Sequence, residues 1–235
     1  MNVGKTARDR ARAEVAQEIK DEARKQLVTD GAQSLSLRSV SRSLGLASSA
    51  LYRYFPSRDD LLTALIIDAY DAMGAAAEHA DSGIRQGNSR TKGASEAEAE
   101  PRGRWLAACR AVRTWAVTHR HEYALIYGSP VPGYQAPQDT VAPAARVPLL
   151  LTAIATAGKV DDSSVGHGLR SQLSSVISMN SIDLPPGALA RVMVAWTQLF
   201  GVISFELFGQ LVGSADPADE FFEFSAATMA DFVGL

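Results

Sequence analysis

The apolar residues near the N-terminus recur with a helical period. Ile19, Ala23 and Leu27 are four residues apart in a segment rich in Ala, Glu, Lys, Arg and Gln, which favour helices. The pattern predicts a helix over residues 8–30. Gly31 suits the C-cap position that ends it, because glycine adopts the left-handed conformation found there without strain.

Two short helices with a glycine between them follow. Leu37, Val40 and Leu44 share one face of a helix whose first N–H groups Ser36 can cap. Gly45 ends that helix, and a third short helix is predicted over residues 47–55. Two short helices joined by a glycine turn form a helix-turn-helix pattern.

A capped fourth helix comes next. Pro56 stops the third helix, and Ser57-Arg58-Asp59-Asp60 is typical of a capping box that opens a helix to about Ala80. From Asp81 to Gly103 the only large apolar residue is Ile84, so this segment has too little apolar surface to fold by itself. We predict a mobile loop over residues 81–103.

The remainder of the chain shows further helical patterns. Helical spacing returns over residues 105–116, 149–157 and 165–177, and most strongly over residues 189–207 behind Pro185-Pro186. Half of the 10 prolines lie within residues 130–148, so residues 128–144 are predicted to be irregular. Asp216 as N-cap and Pro217 at the first helical position predict a final helix. No strand pattern competes, and the fold class is all-α.

Composition is that of a globular protein with one large domain or two smaller ones. Hydrophobic residues make up 46% and charged residues 21% of the 235 positions. The longest apolar stretch contains Arg191 and Glu206, so we expect no membrane-spanning helix. No apolar segment follows the N-terminus, which predicts a cytoplasmic protein. The single cysteine, Cys109, cannot form an internal disulfide and is expected to be a small buried side chain.

Charge is distributed unevenly along the chain. Residues 1–60 hold 11 Lys and Arg against 8 Asp and Glu, whereas the remaining residues hold 12 against 18. Residues 31–58 contain four arginines and no acidic residue. A basic N-terminal part joined to an acidic remainder predicts that the N-terminal part binds a polyanion.

Five motifs stand in a fixed order in this basic part. They are Gly31, Ser36-Leu37-Arg38-Ser39-Val40-Ser41, Leu44-Gly45-Leu46, Leu51-Tyr52-Arg53-Tyr54-Phe55 and Arg58-Asp59-Asp60-Leu61-Leu62. Over about Ile19 to Leu65 they resemble the signature of the tetracycline-repressor (TetR) family. The resemblance implies an N-terminal three-helix DNA-binding domain at residues 1–60 and a larger helical ligand-binding and dimerisation domain at residues 61–235.

The resemblance also implies which residues meet DNA. The third helix would enter the major groove with its first turns towards the bases, while Ser36, Arg38 and Arg58 would contact phosphates. Because Ala47 lacks a hydroxyl group, the cap of this helix is expected at Ser48. The predicted DNA-binding residues are Ser36, Arg38, Ser48, Ser49, Ala50, Tyr52, Arg53, Tyr54 and Arg58.

Candidate chemistry is sparse in the rest of the chain. His119 and His121 are two residues apart, whereas the histidines of a helical zinc motif are four apart. No nucleophile triad, phosphate loop or carboxylate pair is recognisable, so we predict no catalytic residue, metal or cofactor. An apolar ligand pocket is predicted from aromatic residues and one methionine, which could equally be core: Trp105, Trp115, Tyr123, Tyr127, Met179, Trp196 and Phe200.

The function that these expectations favour is a transcriptional regulator. We expect a repressor that a small apolar or amphipathic ligand releases from a palindromic operator. The last two helices carry excess apolar residues, which predicts a homodimer whose half-sites lie about 34–36 Å apart. Two alternatives remain open. The first is an all-helical small-molecule-binding protein or enzyme whose N-terminal part does not bind DNA. The second is a DNA-binding regulator that responds to a protein partner or to no effector.

Overall fold

The computed structural model describes residues 7–88 and 96–235, and these are all-α with no strand. Ten α-helices occur in the described ranges, apart from two short 3₁₀ turns. Their bounds are α1 Ala7–Asp30, α2 Leu37–Ser43, α3 Ser48–Leu51, α4 Arg58–Asn88, α5 Glu96–Thr118, α6 Arg120–Tyr127, α7 Val141–Ala157, α8 His167–Asn180, α9 Pro186–Leu207 and α10 Asp219–Val233.

The helices form two compact units. The first comprises Met1–Tyr70 and His119–Val141, and the second comprises Asp71–Thr118 and Ala142–Leu235. The predicted N-terminal domain of residues 1–60 lies within the first unit, which also takes in the start of α4 and the whole of α6. The sequence pattern had not indicated that α6 packs with the N-terminal helices.

The core of the first unit fixes the relative positions of α1, α2, α3 and the start of α4. Most of the apolar residues predicted to face inward on these helices are fully or almost fully buried, among them Ile19, Leu27, Val40, Leu51 and Leu62, while Leu44 is partly buried. Leu125 and Ile126 of α6 pack against the same cluster. Burying a Leu or Ile side chain contributes about 1.5–3 kcal/mol, so this small cluster holds the short helices α2 and α3 in place.

The turn between α2 and α3 requires glycine. Gly45 has a φ of +65°, a left-handed conformation that glycine adopts without the steric penalty of other residues. The chain then turns back, and the Leu46 N–H donates to the carbonyl oxygen of Ser41 at 2.9 Å. The predicted helix-turn-helix geometry is therefore present.

Several predicted helix ends differ from those in the structure. Ser36 precedes α2 but its hydroxyl caps no N–H group, and Ser48 begins α3 behind Ala47, which makes no side-chain cap. Only Ser48–Leu51 of the predicted third helix is α-helical, and residues 52–54 continue it as turns. Ser57 does cap α4, since its Oγ accepts from the Asp60 N–H at 3.1 Å.

The prediction of a mobile loop over residues 81–103 is wrong at both ends. Residues 81–88 extend α4 and residues 96–103 begin α5, while residues 89–95 lie outside the described residues. The segment has few large apolar residues, but a buried ion pair stabilises it in their place. Arg104 Nε donates to Asp81 Oδ1 at 2.6 Å, and both side chains are buried.

Two further helix boundaries differ from the prediction. The helix predicted over residues 149–157 begins at Val141, because Pro143 lies in its first turn, where no intrahelical N–H bond is lost. The last helix begins at Asp219 behind Ala218, not at Pro217. α9 begins at Pro186 as predicted.

Two helical segments, Gln138–Ala157 and Pro186–Leu207, are long and apolar enough to cross a membrane by length and composition. A core helix of a soluble protein meets the same criteria. In α9, nine residues including Leu199 and Ile203 are buried, which fits a core helix. In the other segment, Arg146 forms ion pairs with Asp71 and Glu78.

Candidate nucleic-acid interface

α2 presents one of its predicted phosphate contacts to solvent. Leu37 and Val40 are buried, and this orientation leaves Arg38 exposed at the first turn of the helix. Ser36 is half-buried just before the helix. Arg38 forms no ion pair among the described residues, so its guanidinium is available to a phosphate.

α3 and the turn after it expose a polar face. Leu51 is completely buried and anchors the segment, while Ser48, Ser49, Tyr52 and Arg53 lie at its surface. Tyr52 keeps 43% of its surface accessible. Side chains that donate and accept hydrogen bonds on an exposed short helix are what direct readout of bases in the major groove requires.

The remaining predicted residues of this helix are partly engaged within the protein. Ala50 is half-buried, and Tyr54 packs against the core cluster. The Oγ atoms of Ser48 and Ser41 are 3.2 Å apart, which joins α3 to α2. The Ser41 hydroxyl also donates to the carbonyl oxygen of Arg38 at 3.0 Å, so a buried serine holds the two helices in register.

Arg58 does not present a free guanidinium. Its Nε donates to the carbonyl oxygen of Leu35 at 3.1 Å, and its Nη2 donates to the carbonyl oxygens of Ala32 and Gln33 at 2.8 and 3.2 Å. These bonds tie the start of α4 to the turn that precedes α2. Arg58 therefore positions the helix-turn-helix, because most of its donors already have acceptors.

A charge network joins α1, α4 and α6 within the first unit. Arg24 pairs with Asp68 at 2.6 Å and with Glu122 at 3.0 Å, and Lys20 pairs with Asp68 at 2.7 Å. Burial disfavours the charge of Arg24, but its hydrogen bonds to Glu122 and Asp68 leave its pKa above the ordinary value. The sequence offered no signal for this network because Arg24 and Glu122 are 98 positions apart.

The residues of the predicted ligand wall are divided between the two units. Tyr123 and Tyr127 belong to the first unit, where Tyr127 lies 5.2 Å from Tyr123 and 6.0 Å from Tyr70, measured between ring centroids. Burial raises the pKa of Tyr127 and of Tyr70. These tyrosines therefore form a cluster of their own and do not share a compact unit with the predicted tryptophans.

The other members lie in the second unit, on α5, α8 and α9. Trp105 is fully buried, Trp115 and Phe200 are buried, and Trp196 is half-buried with its ring 6.4 Å from that of Phe200. Met179 departs from the prediction, because it is 75% exposed and lies on a different side of α8 from the buried Leu173.

The residues that the structure describes contain no group of three His, Cys, Asp or Glu side chains close enough to hold a metal ion. Cys109 is fully buried, and burial raises the pKa of its thiol to about 12. A thiol with such a pKa is inert at neutral pH.

The geometry of the first unit defines a helix-turn-helix protein: short helices joined by a glycine turn, with an exposed polar helix beside a basic surface. Residues 19–65 match the family described as bacterial regulatory proteins, tetR family, and residues 105–229 match the tetracyclin repressor-like C-terminal domain. The chain belongs to the TetR family of transcriptional regulators.

Relatives of this chain that are named as transcriptional regulators occur in mycobacteria. HTH-type transcriptional regulators of Mycobacterium bovis and Mycobacterium tuberculosis are each 35% identical to this chain over 207 residues, covering 85% of it and 83% of the relative. The TetR family is not a family of enzymes, and its members typically bind DNA and small ligands and form dimers.

Solved structures agree in fold. The crystal structure of the protein SCO4313 has a TM-score of 0.77 and 32% identity, covering 96% of this chain and 100% of that one. The TetR family transcriptional regulator PfmR from Thermus thermophilus has a TM-score of 0.53 and 18% identity, covering 92% of this chain and 96% of that one. At that identity the second likeness concerns the fold alone.

Proposed function

We propose that this protein is a cytoplasmic homodimeric repressor that binds a palindromic operator and is released from it by a small amphipathic ligand. The observation that carries the proposal is the exposed polar face of α3, which Leu51 anchors and Ser41 braces, in a stretch with no acidic residue over positions 31–58. Such a face can enter a major groove without repelling the phosphates on either side.

Base contacts are proposed for Ser49, Tyr52 and Arg53, whose side chains are exposed. Ser48 is held by Ser41 and orients the helix, and Ala50 is available for a thymine methyl group through its partly exposed surface. Arg38 is proposed to contact a phosphate. Base contacts of this kind each contribute about 1–3 kcal/mol of discrimination between base pairs.

Ligand binding is proposed for the second unit. The Nε1 atoms of Trp105 and Trp196 are buried and have no hydrogen-bond acceptor among the described residues. An unsatisfied buried N–H group costs about 1–3 kcal/mol, so a ligand that offers an acceptor is stabilised there. The ring of Phe200, 6.4 Å from that of Trp196, adds apolar surface beside one of these N–H groups, which supports an apolar ligand that carries a hydrogen-bond acceptor.

Dimerisation through the last two helices is supported by exposed apolar stripes on both. On α10 the stripe is Phe221, Phe224 and Phe232, and along α9 and its C-cap it is Val194, Phe205 and Phe208. Gly201 lies between Val194 and Phe205, and a Cβ added there would meet no atom within 4 Å. The absence of a side chain at this position lets a second helix approach closely, as in a seam between two copies.

The experiment that tests the function is a selection of duplex DNA by the full-length chain, followed by footprinting. We expect one enriched site with two inverted half-sites, whose centres lie about 34–36 Å apart or a larger whole number of helical turns apart. Footprinting should show protection of both half-sites, and the affinity should fall as the salt concentration rises. Enrichment of no sequence and binding insensitive to salt would reject the proposal.

A second measurement tests the ligand. All 3 tryptophans of the chain lie in the second unit, so their fluorescence reports on a ligand there. We expect the amphipathic dye 1-anilinonaphthalene-8-sulfonate to quench the tryptophan emission of the folded dimer and to lower its operator affinity. Quenching without any change in operator affinity would reject release by an amphipathic ligand, although the protein could still be a DNA-binding regulator.

A further inference from the structure

A basic cleft of about 570 Å³ lies within the first unit, between the first turns of α1 and the end of the α3 segment, by which we mean α3 together with the turn residues 52–54. Three of its lining residues are arginines, Arg8, Arg12 and Arg53, against a single carboxylate, Asp9. No motif in the sequence signalled it, because Arg53 is 41 positions from Arg12. The cleft is thus a product of how α1 packs beside α3.

Two contacts hold the Arg12 side chain beside the α3 segment. Arg12 Nη2 donates to the carbonyl oxygen of Arg53 at 3.2 Å, and the Arg12 guanidinium carbon lies 5.6 Å from the centroid of the Tyr54 ring. Arg8 is one helical turn before Arg12 and lies on the same face of α1. The aromatic ring and the carbonyl each favour a positive charge at this position.

The basic residues of α1 differ in whether they have acidic partners. Lys20 and Arg24 pair with Asp68, and Lys25 pairs with Glu22. By contrast, Arg8, Arg12 and Arg53 form no ion pair with a carboxylate within the described ranges. Like charges gathered around a concave surface raise the local positive potential, which an incoming anion lowers.

We propose that this cleft binds a phosphate of the DNA backbone beside the groove that α3 enters. The inference rests on the proposed DNA-binding function. The major groove is about 12 Å wide and a helix with its side chains about 10–12 Å across, so a residue beside the helix meets the phosphates at the groove wall. Ala50 and Arg53 line the cleft and belong to the α3 segment itself.

A phosphate bound in this cleft fixes the orientation of α3 relative to the DNA. Arginine binds phosphate through two parallel N–H bonds, which fixes angle as well as distance. Since α1 and α3 both line the cleft, one bound phosphate sets the angle at which α3 lies in the groove. The contact carries no sequence information, so it strengthens binding to operator and to random DNA alike.

The test compares two variants of the full-length chain that remove charge from α1. Arg8→Gln/Arg12→Gln removes the cleft arginines. Arg10→Gln is the control and removes one charge where the double variant removes two. Arg10 is exposed on the same turn but about 200° around the helix from Arg8. The probe is a mixed-sequence duplex, titrated at several salt concentrations, with the thermal melt of each variant recorded.

We expect the double variant to bind the duplex about tenfold more weakly and to lose about 1 unit from the slope of log K against log salt, the loss that one phosphate contact predicts. The control is expected to lose less than half of that slope. If the double variant melts early, the single variant Arg8→Gln provides the comparison, because it keeps the contacts of Arg12 with Arg53 and Tyr54.

Other results overturn the inference. A loss of slope in the double variant that is no more than twice the loss in Arg10→Gln would mean that diffuse charge acts, and a parental slope would mean that no phosphate is bound. Binding of inorganic phosphate that depends on Arg8 and Arg12, with an unchanged DNA slope, would make the cleft a site for free anions. If the parent chain itself shows no salt-dependent duplex binding, the proposed function fails first and the inference falls with it.

Discussion

Arg38 and Arg58 carry the same charge, and their surroundings give them different roles. Both were predicted to contact phosphates. Arg38 is exposed on α2 without an acidic partner in the described residues, whereas Arg58 donates three hydrogen bonds to backbone carbonyl oxygens. The sequence identified both as basic residues beside a helix-turn-helix, but only the path of residues 32–35 shows which guanidinium is already engaged.

We predict that Arg58→Ala lowers the stability of the protein by about 2–3 kcal/mol, because hydrogen bonds from a charged donor contribute about 1.5–3 kcal/mol each and partial solvent access reduces their sum. Arg38→Ala is the matched control and should leave stability within about 0.5 kcal/mol. Urea unfolding measures both. An Arg58→Ala protein as stable as the control would return Arg58 to the phosphate-binding role.

We predict the opposite ranking for DNA affinity measured at a temperature where both variants are folded. Arg38→Ala should weaken binding to operator and to mixed-sequence DNA by the same factor, because a phosphate contact supplies affinity and not specificity. A loss confined to the operator would mean that Arg38 reads a base. Fluorescence anisotropy with both duplexes distinguishes the two outcomes.

At the scale of helices, the end of α4 and the start of α5 are held by an ion pair that the pattern of apolar residues could not predict. Asp81 and Arg104 are both buried, with Arg104 Nε and Nη2 donating to the two carboxylate oxygens at 2.6 and 3.3 Å. Each charge has a partner, so neither is left desolvated alone. The low apolar content of residues 81–103 led to the prediction of a loop, because a count of apolar residues takes no account of buried ion pairs.

We predict that Asp81→Asn destabilises the protein by about 3–5 kcal/mol, because it leaves the Arg104 charge buried without a counter-charge. Asp81→Leu/Arg104→Met, which replaces both charges by apolar side chains of similar size, should recover most of this loss. Chemical denaturation of the single and double variants measures the difference. Equal stability of Asp81→Asn and the parent would show that the pair is not a structural requirement.

The outer stripes of α9 and α10 are a second feature at this scale. α10 buries Phe222, Ala226 and Met229 and exposes a stripe that includes Phe224, which is 68% accessible. Phe200, by contrast, points into the second unit and is buried. The apolar content of these helices predicted a seam, whereas the structure distinguishes the residues that face outward.

We predict that Phe224→Glu yields monomers at micromolar concentration, because a charge in an apolar seam costs several kcal/mol. Leu169→Glu on α8 is the control, since Leu169 is also partly exposed but lies on neither stripe. Sedimentation velocity measures both. A dimeric Phe224→Glu protein with a monomeric Leu169→Glu protein would move the interface to α8.

At the scale of the whole molecule, ion pairs between helices couple stability to pH. Arg146 on α7 pairs with Glu78 on α4 at 2.6 Å, and Arg110 on α5 pairs with Glu223 on α10 at 2.6 Å. Their hydrogen bonds hold the pKa values of Glu78 and Glu223 below the ordinary value of 4.5. A carboxyl group whose folded pKa is depressed stabilises the protein when it is ionised.

We predict that the melting temperature decreases as pH falls below about 4.5, the ordinary pKa of these glutamates, since their stabilisation is complete above it. Glu78→Gln/Glu223→Gln should melt earlier at neutral pH and lose less on acidification than the parent. Glu18→Gln, at an exposed position on α1, is the control. An unchanged acid dependence in the double variant would assign it to other carboxyl groups.

Local sequence patterns were sufficient to predict the features that depend on neighbouring residues. Apolar spacing predicted where α1, α2 and α9 lie, the Ser57 cap and Pro186 marked helix starts, and Gly45 marked the turn of the helix-turn-helix. Helical periodicity and capping are set within a few residues, so they can be read locally. The acid-free stretch and the order of the motifs were enough to identify the TetR family.

Which side chains act together depends on how helices that are distant in sequence pack against one another. Arg12 meets the backbone of Arg53, Arg24 meets Glu122, and Asp81 meets Arg104, in each case across a separation that local patterns do not encode. Whether an arginine is free for a phosphate, as Arg38 is, or engaged within the fold, as Arg58 is, depends on which carbonyl or carboxylate oxygens the packing brings within hydrogen-bond distance.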